Sequence, residues 1–453
     1  MALLIMLVVA GLCVAAKVAW ARRRVVPPKT VIPLVHSIND DRCTGCDACV
    51  TVCPTDVLEL VGNKSRVARM DDCIQCEQCA LVCPTTALVM HPRGTVAPSL
   101  RMPILDAFYQ ASPGLYLIGE ASGKPLLKNA SNLGRAVVEH MVAGGLSRGA
   151  ARQGHSLLES VDVVIVGSGP AGLSAALTAA EHGLRFVVLE KDALVASTIA
   201  RWPVDKECMA EPYDVAVRGL LPVWDAGRDA LLARWHQILA EREMVVRTEE
   251  SVEEIWRNHE EGGFEVRTNR GQLRAARVVL AVGTRGKPRR LGVPGEHLAH
   301  VRPLLTDPTE HRGQRVLVVG GGDSAVEAAI SLAEAGARPI LSYRGRALSR
   351  CKAKNRQRLE RLTEDDRVEL RFSTTVTCIE ADKAHLTTAT TAERVWCDAV
   401  LVCIGGDAPV KWLSQVGVQF GDEPHAFVRP NTDVLVDQLL ANRPSRRKLR
   451  ARV

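Results

Sequence analysis

The sequence predicts an α/β protein with two tandem Rossmann-like units, a small α+β domain and one N-terminal transmembrane helix. Three observations predict this fold class. Two strand–turn–helix patterns rich in glycine begin near residues 161 and 315, a cysteine pattern repeats between residues 43 and 83, and residues 2–16 carry no charge. The chain has 453 residues, which is enough for about three domains of ~150 residues each.

The composition is that of a globular protein, because 47% of the residues are hydrophobic and 24% are charged. The net charge of +7 includes nine positive charges in two terminal runs, Arg22–Arg24 and RPSRRKLRARV, so the rest of the chain carries −2. A nucleic-acid-binding domain needs a basic face on its folded part. The charge distribution therefore argues against nucleic-acid binding.

Eight of the 14 cysteines lie in two runs, CTGCDACVTVCPTD and CIQCEQCALVCPTT, which are 30 residues apart. Each run has the form CxxCxxCxxxCP, a spacing that ligates 4Fe–4S clusters, and in two-cluster proteins the fourth cysteine of each run binds the other cluster. Zinc is the alternative, although zinc sites normally use two paired dicysteines. The pattern predicts two sets of ligands, one for each cluster. The first set is Cys43, Cys46, Cys49 and Cys83, and the second set is Cys73, Cys76, Cys79 and Cys53.

These motifs make residues 35–92 similar to a bacterial two-cluster ferredoxin over their whole length. The resemblance implies a module that carries single electrons and performs no bond chemistry. Such a module needs a partner inside or outside the chain.

The first glycine pattern, VDVVIVGSGPAGLSAALTAAEHG, is a buried strand, a tight turn and a helix. Its glycines permit the turn, the approach of a pyrophosphate and close helix packing, and an acid at the end of the next strand binds a ribose hydroxyl. The residues predicted to bind a dinucleotide here are Gly167, Gly169, Pro170, Ala171, Gly172, Glu190 and Lys191.

The second pattern, RVLVVGGGDSAVEAAISLAEAGARPILSYRGR, has alanine at the third glycine position, Ala325. Its second strand ends in arginines instead of an acid, and arginine at that place suits a 2′-phosphate, so NADPH is favoured over NADH. The alternative is a solvated arginine pair. The predicted nucleotide-binding residues are Gly320, Gly322, Asp323, Ser324, Arg344 and Arg346.

Residues 160–420 resemble the two-dinucleotide flavoprotein disulfide reductases, especially the thioredoxin reductase-like branch. The likeness extends to VVLAVGTRGKPRRLGVPGE, DAVLVCIGGDAPVKWLSQVGV and SYRGRALSRCKAKNRQRL. It implies FAD on the first unit and NAD(P)H on the second, with Gly283 in the FAD site. Thr198, Arg201 and Trp202, in the loop STIARWP, either border the flavin or are simply packed.

In that family the chain ends with a last FAD-binding segment: a strand, Gly-Asp and a helix. Here the segment precedes the first glycine pattern (residues 161–183), which we call the first fingerprint. The segment is MPILDAFYQASPGLYLIGEASGKPLLKNASNLGRAVVEHM, with Gly119 and Glu120 at the Gly-Asp place. The resemblance implies that Glu120 contacts the flavin ribityl chain, and helix amino termini suit anionic groups. We interpret the FAD domain as circularly permuted; an unrelated αβ insertion is the alternative.

The amino terminus, ALLIMLVVAGLCVAA, continues past Lys17 through Trp20 to Ala21. Twenty helical residues span ~30 Å, about one bilayer core. Because Arg22–Arg24 follow, we expect a single-pass cell-membrane protein whose bulk is cytoplasmic. A cleaved signal peptide is the alternative, since Ala19-Trp20-Ala21 resembles a cleavage site.

The predicted domains follow from these patterns. They are a transmembrane anchor at 1–21, a ferredoxin domain at 35–92, the permuted FAD segment at 95–147, the FAD-binding domain at 158–305, the NAD(P)-binding domain at 306–405, and an exit segment with a basic tail at 406–453.

The functional prediction depends on the absence of a redox-active dicysteine motif outside the two runs. No CxxC occurs outside the two runs, and Cys208 and Cys351 are interpreted as bystanders. We therefore predict a ferredoxin–NAD(P) reductase-like enzyme that moves electrons between NAD(P)H, FAD and two 4Fe–4S clusters, with no catalytic side chain assigned. Its electron donor or acceptor is a protein or small molecule that the sequence does not identify, and the family resemblance implies a homodimer. A low-molecular-weight disulfide reductase and a non-enzymatic membrane-tethered redox sensor are the alternatives.

Overall fold

The computed structural model describes residues 33–442, apart from 84, 151–157, 205, 211–213, 260–261, 285–286, 349–350, 352, 389 and 408. The predicted membrane anchor, residues 1–21, lies outside the described residues, as does the basic run 443–453. Within the described part of the chain, no helix is both long enough and apolar enough to span a bilayer.

The cysteine-rich unit consists of two small antiparallel sheets and two short helices. β1 pairs with β4 and β2 with β3, around the buried residues Val57, Leu58 and Leu88. Asp47 and Glu77 hold the same place in the two cysteine runs, and both take the left-handed conformation just before a helix. The internal repeat of the sequence is therefore also a repeat of backbone conformation. The elements are β1 Leu34–Ile38, α1 Ala48–Thr51, β2 Leu58–Val61, β3 Lys64–Val67, α2 Gln78–Val82 and β4 Leu88–Pro92.

The next stretch contributes three strands and one long helix before the first fingerprint begins. They are β5 Leu100–Pro103, β6 Gln110–Ser112, β7 Leu115–Leu117 and α3 Leu127–Ala143. A 3-10 turn, Gly119–Ser122, connects β7 to α3.

The first fingerprint unit is built on an eight-stranded sheet with the order β12-β9-β8-β15-β14-β13, and β7 and β6 extend from β15. Its parallel part is covered on both faces, which is why Val163–Val166 in β8 and Val278–Leu280 in β15 are apolar without alternation. The elements are β8 Glu159–Val166, α4 Pro170–Glu181, β9 Phe186–Leu189, α5 Ser197–Ala200, β10 Glu207–Cys208, β11 Ala226–Gly227, α6 Arg228–Glu241, β12 Val246–Arg247, β13 Val252–Arg257, β14 Phe264–Thr268 and β15 Gly271–Leu280.

The segment that precedes the first fingerprint in sequence belongs to this sheet in space. β7 pairs in parallel with the end of β15, Val278–Leu280. α3 packs along α4, and a Cβ on Gly134 of α3 would lie 2.3 Å from the carbonyl oxygen of Ala171 in α4. Strand, turn and helix therefore dock beside the fingerprint.

The second fingerprint unit is a five-stranded parallel sheet with the order β17-β24-β18-β19-β20, next to a three-stranded antiparallel sheet β21-β22-β23. The predicted α/β class is thus confirmed for both units. The elements are β16 Lys287–Pro288, β17 Val301–Arg302, β18 Arg315–Val319, α7 Asp323–Glu334, β19 Arg338–Tyr343, α8 Ala353–Glu364, β20 Glu369–Phe372, β21 Thr375–Ile379, β22 Lys383–Thr387, β23 Ala392–Trp396 and β24 Ala399–Val402, with a 3-10 turn at Pro308–His311.

Residues 410–441 return to the first unit. Leu435, Val436 and Leu439 are buried in the core that α3 and α4 share. β26 pairs antiparallel with β5. The segment predicted as an exit and a basic tail, 406–453, therefore packs against the first unit over 410–441, because apolar residues on one helix face supply a packing surface. The elements are β25 Gly406–Asp407, α9 Val410–Gln415, β26 Phe420–Glu423 and α10 Thr432–Ala441.

Candidate functional site

The first set of cysteines surrounds one cavity. The wall of this cavity is otherwise largely apolar and includes Ile38 and Leu88. Burial raises the pKa of the Cys49 thiol to about 11, with the neighbouring first-set cysteines adding to the rise. The four cysteines that line the cavity are Cys43, Cys46, Cys49 and Cys83.

Backbone N–H groups point at sulfur atoms of both sets. Such donors stabilise the charge on a ligating thiolate and tune the potential of an iron–sulfur cluster. The soft donor set, the cavity and these N–H groups fit a 4Fe–4S cluster. The pairs are Ser65 N and Cys43 Sγ at 3.4 Å, Val57 N and Cys53 Sγ at 3.3 Å, Gln75 N and Cys73 Sγ at 3.4 Å, and Leu88 N and Cys83 Sγ at 3.5 Å.

The second set of cysteines includes both a buried and an exposed member. Cys79 is buried, and burial raises the pKa of its thiol to about 12, with Cys76, Cys49 and Cys53 close enough to add to the rise. Cys76 is exposed. In the part of the chain that the structure describes, no three His, Cys, Asp or Glu side chains converge on one point as the ligands of a single metal ion do; a 4Fe–4S cluster spreads its cysteine ligands over several iron atoms.

The first fingerprint turn is closed on one side and open on the other. Gly167 has φ +104°, and a Cβ there would lie 2.5 Å from the carbonyl oxygen of Ala281. A Cβ on Gly172 would lie 2.0 Å from the carbonyl oxygen of Gly167. A Cβ on Gly169 would meet nothing within 4 Å, and Gly169, the residue before α4, has no side chain that could cap the N–H groups of the helix. The amino terminus of α4 is therefore accessible to a phosphate on the Gly169 side.

Glu190 is buried at the end of β9, with 5% exposure. One carboxylate oxygen accepts hydrogen bonds from Ser168 N at 2.9 Å and Ser168 Oγ at 2.6 Å, and the other accepts one from Asp192 N at 3.0 Å. Ser168 Oγ also accepts a hydrogen bond from Ala196 N at 3.0 Å. Sequence reasoning missed Ser168, although a serine between two fingerprint glycines was a readable signal.

The Gly119–Glu120 turn lies against the fingerprint helix. Gly119 has φ +73°, and a Cβ there would lie 3.2 Å from the Cβ of Ala171 in the first turn of α4. Glu120 itself is exposed. The structure thus brings together the Glu120 turn and the glycine turn, which are about 50 residues apart in the chain.

The second fingerprint turn follows the same plan with different neighbours. A Cβ on Gly320 would lie 2.3 Å from the carbonyl oxygen of Cys403, whereas Gly322 has nothing within 4 Å. Asp323 accepts a hydrogen bond from Asn355 Nδ2 at 3.0 Å. Ser324 is exposed at the start of α7.

The strand end beside this turn carries the two predicted arginines. Arg344 and Arg346 are both exposed, and neither forms an ion pair with another described residue. The ring of Tyr343 lies over the turn, since a Cβ on Gly321 would be 2.4 Å from it. Sequence reasoning missed Tyr343.

The remaining predicted site residues are distributed around the first unit. Lys191 and Thr198 are exposed. Gly283 has φ +60° and open space around it. Arg201 forms an ion pair with Asp192 at 2.8 Å, and Trp202 is half-buried. No contact in the structure assigns these residues a ligand.

Cys208 and Cys351, two cysteines outside the two runs, lie in surroundings that disfavour the thiolate. Cys208 and Cys351 are buried, and burial raises the pKa of both, with the Asp323 carboxylate adding to the rise at Cys351. A thiol becomes reactive as the thiolate, in electropositive and partly exposed surroundings. Their surroundings therefore disfavour dithiol exchange.

A buried ionic network joins the cysteine-rich unit to the rest of the chain. Lys124, which follows the Glu120 turn, forms an ion pair with Asp41, and both side chains are almost fully buried. Arg42 pairs with Glu423 at 2.7 Å, and Glu423 pairs with Arg429 at 2.9 Å. No periodic pattern marks these residues in the sequence, so the network was not predicted.

A second link reaches the first fingerprint unit from β3. Lys64 Nζ donates a hydrogen bond to the carbonyl oxygen of Cys43 at 2.8 Å and forms an ion pair with Asp214 at 3.4 Å. Asn39 Nδ2 donates to the carbonyl oxygen of Phe427 at 2.8 Å. The unit is therefore docked through the residues around Cys43.

A comparison with known protein families identifies the family to which this chain belongs. Residues 164–434 match the pyridine nucleotide-disulphide oxidoreductase profile, which is more than half of the chain. The chain belongs to this family. Residues 36–84 match a 4Fe–4S dicluster domain. The chain thus joins an FAD- and NADP-binding oxidoreductase domain to an iron–sulfur domain.

Two similar proteins are the ferredoxin–NADP reductases of Ignicoccus hospitalis, 34% identical over 40% of this chain and 56% of that protein, and of Thermus thermophilus, 31% identical over 50% of this chain and 65% of that protein. The chain thus spans less than two thirds of each relative. A solved bacillithiol disulfide reductase from Staphylococcus aureus matches 63% of this chain and 100% of its own, with 20% identity and a TM-score of 0.53. That likeness shows a shared fold.

Proposed function

We propose that this chain is an iron–sulfur flavoprotein oxidoreductase that moves electrons between NAD(P)H and a one-electron partner. One observation carries the proposal. The turn that holds Glu120 against the first fingerprint helix leads directly to Lys124, whose ion pair with Asp41 lies two residues from Cys43. A predicted flavin contact and a predicted cluster ligand are therefore linked by a short stretch of chain and one buried ion pair.

The chain's own residues supply binding and orientation. When bound, FAD accepts hydride from a nicotinamide, and 4Fe–4S clusters carry single electrons. In our proposal the open side of Gly169 and the amino terminus of α4 hold the FAD pyrophosphate, and Glu190 holds a ribose hydroxyl. A carboxylate can accept about four hydrogen bonds, and Glu190 accepts three from the protein, which leaves one for the ribose.

We also propose that the FAD domain is circularly permuted. The parallel pairing of β7 with β15 and the packing of α3 on α4 support this interpretation. Because Glu120 is exposed beside the fingerprint turn, its carboxylate is free to meet a ribityl hydroxyl.

For the second unit we propose NADPH as the preferred nucleotide. Its support is the exposed pair Arg344 and Arg346 without ion-pair partners among the described residues. The membrane anchor at 1–21 stays a prediction from the sequence.

Anaerobic stopped-flow mixing of the purified, cofactor-loaded chain with NADPH tests the function. We expect the flavin absorbance to bleach first and the iron–sulfur absorbance to fall afterwards. Flavin bleaching with no change in the iron–sulfur absorbance, in a chain whose iron–sulfur groups dithionite reduces, would refute internal transfer.

A further inference from the structure

The two cysteine sets differ in how they face the rest of the protein. Every described hydrogen bond or ion pair that joins residues 33–92 to residues beyond 95 comes from the neighbourhood of the first set. Asp41 and Arg42 immediately precede Cys43, Lys64 donates to its carbonyl oxygen, and the carbonyl oxygen of Thr86, near Cys83, meets His425 Nε2 at 3.3 Å.

The chain around the second set makes fewer described contacts with the rest of the protein and is partly exposed. None of the described side chains between residues 69 and 82 forms a hydrogen bond or ion pair with a residue beyond 95. Cys76 is exposed. Beside it, Ile74 is 61% exposed and Leu81 is 52% exposed.

We propose that the two sets form an ordered relay. The first set is the inner station, held against the flavoprotein by Lys64 and by the Asp41–Lys124 pair, and the second set is the outer station, where electrons leave the chain. This inference rests on the proposed function and adds an order and an exit to it. Lys64 and Lys124 are positioning residues in this scheme.

The electrons and protons of this relay balance. NAD(P)H loses one hydride to the flavin side and becomes NAD(P)⁺. Two electrons then cross the inner station one at a time, pass to the outer station and reduce two molecules of a one-electron acceptor, while one proton is released. No further oxidant or reductant is needed.

Solvent access to the two stations is the first test, and it does not require turnover. The dithionite-reduced full chain is frozen with and without a water-soluble dysprosium chelate, and the relaxation of each cluster signal is measured by electron paramagnetic resonance. We expect the chelate to enhance the relaxation of one signal strongly and of the other weakly. Equal enhancement of both signals would overturn the order.

Matched cysteine variants assign the signals. Cys76→Ser removes an outer ligand and Cys46→Ser removes an inner one, and each of these cysteines is the second of its run. The signal lost in Cys76→Ser should be the one that the chelate relaxes strongly. If it is the weakly relaxed signal instead, the two stations are reversed.

Rapid mixing with NADPH then tests the sequence of transfer. In Cys76→Ser the remaining inner cluster should still be reduced as quickly as in the wild type. In Cys46→Ser the outer cluster should lose its rapid reduction, although dithionite still reduces it. The opposite pattern would contradict the relay.

The outcomes separate this inference from the proposed function. If NADPH fails to bleach the flavin of the wild-type chain, the proposed function fails, whereas the dysprosium result still reports the order. If the wild-type flavin and clusters are reduced but the dysprosium effect is equal at both clusters, only the order fails.

Discussion

The two fingerprint units share a backbone plan but differ at three matched positions. The first has Ser168, Gly172 and the buried acid Glu190, whereas the second has Gly321, Ala325 and exposed arginines. The first turn is tied to its strand end by hydrogen bonds, and α3 packs along the helix that follows the turn. The ring of Tyr343 lies against the second turn. A turn fixed in this way suits a cofactor that stays bound, and an open arginine-bearing edge suits a nucleotide that enters and leaves.

The third glycine position should give the largest difference between the units. A Cβ on Gly172 would lie 2.0 Å from the carbonyl oxygen of Gly167, and backbone cannot move away as a flexible side chain can. We expect Gly172→Ala to lower stability by about 3 kcal/mol, the upper range for overpacking, and to abolish FAD retention. Thermal unfolding and the FAD-to-protein absorbance ratio measure both effects.

Ala325→Gly is the matched control in the second unit, where alanine is already accommodated and fully buried. It should cost about 0.5–1 kcal/mol, the ordinary penalty of glycine in a helix, and leave the FAD content unchanged. Equal losses in the two variants would remove the distinction between the turns.

The second largest effect on stability and FAD retention is expected when the acid of the first unit, Glu190, is removed. Glu190→Ala leaves the N–H groups of Ser168 and Asp192 without their acceptor, and an unsatisfied buried donor costs about 1–3 kcal/mol. We expect a lower melting temperature and partial loss of FAD. Glu190→Gln keeps one acceptor oxygen, so its melting temperature should fall less and it should retain more FAD. Identical behaviour of the two variants would argue against hydrogen bonding as the cause.

The arginines of the second unit should affect nucleotide choice and not stability. A hydrogen bond to a charged group contributes about 1.5–3 kcal/mol, so Arg344→Gln with Arg346→Gln should raise the KM for NADPH about 10-fold or more. The KM for NADH should hardly change. Steady-state kinetics with an artificial acceptor measures both values.

Arg338→Gln is the control for this pair, because Arg338 is exposed at the opposite end of the same strand, β19. It should leave the KM for NADPH unaltered. If the control raises that KM as much as the double variant does, the effect is one of general charge and not of a 2′-phosphate site.

The smallest effect is expected at Ser168. Ser168→Gly gives the first turn the residue that the second has at that place, and it removes the hydroxyl that bonds Glu190 and Ala196 N. Each of these two hydrogen bonds contributes about 1 kcal/mol net, and Glu190 keeps its two backbone donors, so the melting temperature should fall by a few degrees while FAD stays bound. Complete loss of FAD would show that this hydroxyl does more than tie the turn to the strand.

The sequence predicted the features that local spacing encodes. The cysteine runs, the two glycine turns and the strand–turn–helix around Glu120 are all short motifs, and the structure places the last beside the first fingerprint. The packing of α10 was missed because the basic run after it dominated the composition, although Leu435, Val436 and Leu439 have helical spacing. The Asp41–Lys124 and Arg42–Glu423 pairs were not predictable, because their partners are 83 and 381 residues apart in the chain.

The most direct test of the central claim is rapid-freeze electron paramagnetic resonance on the full, cofactor-loaded chain after anaerobic mixing with one equivalent of NADPH. If the flavoprotein part delivers electrons to its own clusters, reduced-cluster signals should appear within the time that the flavin takes to bleach, at a rate independent of protein concentration. A reduced flavin beside silent clusters that dithionite can reduce, or a rate that rises with protein concentration, would contradict the account.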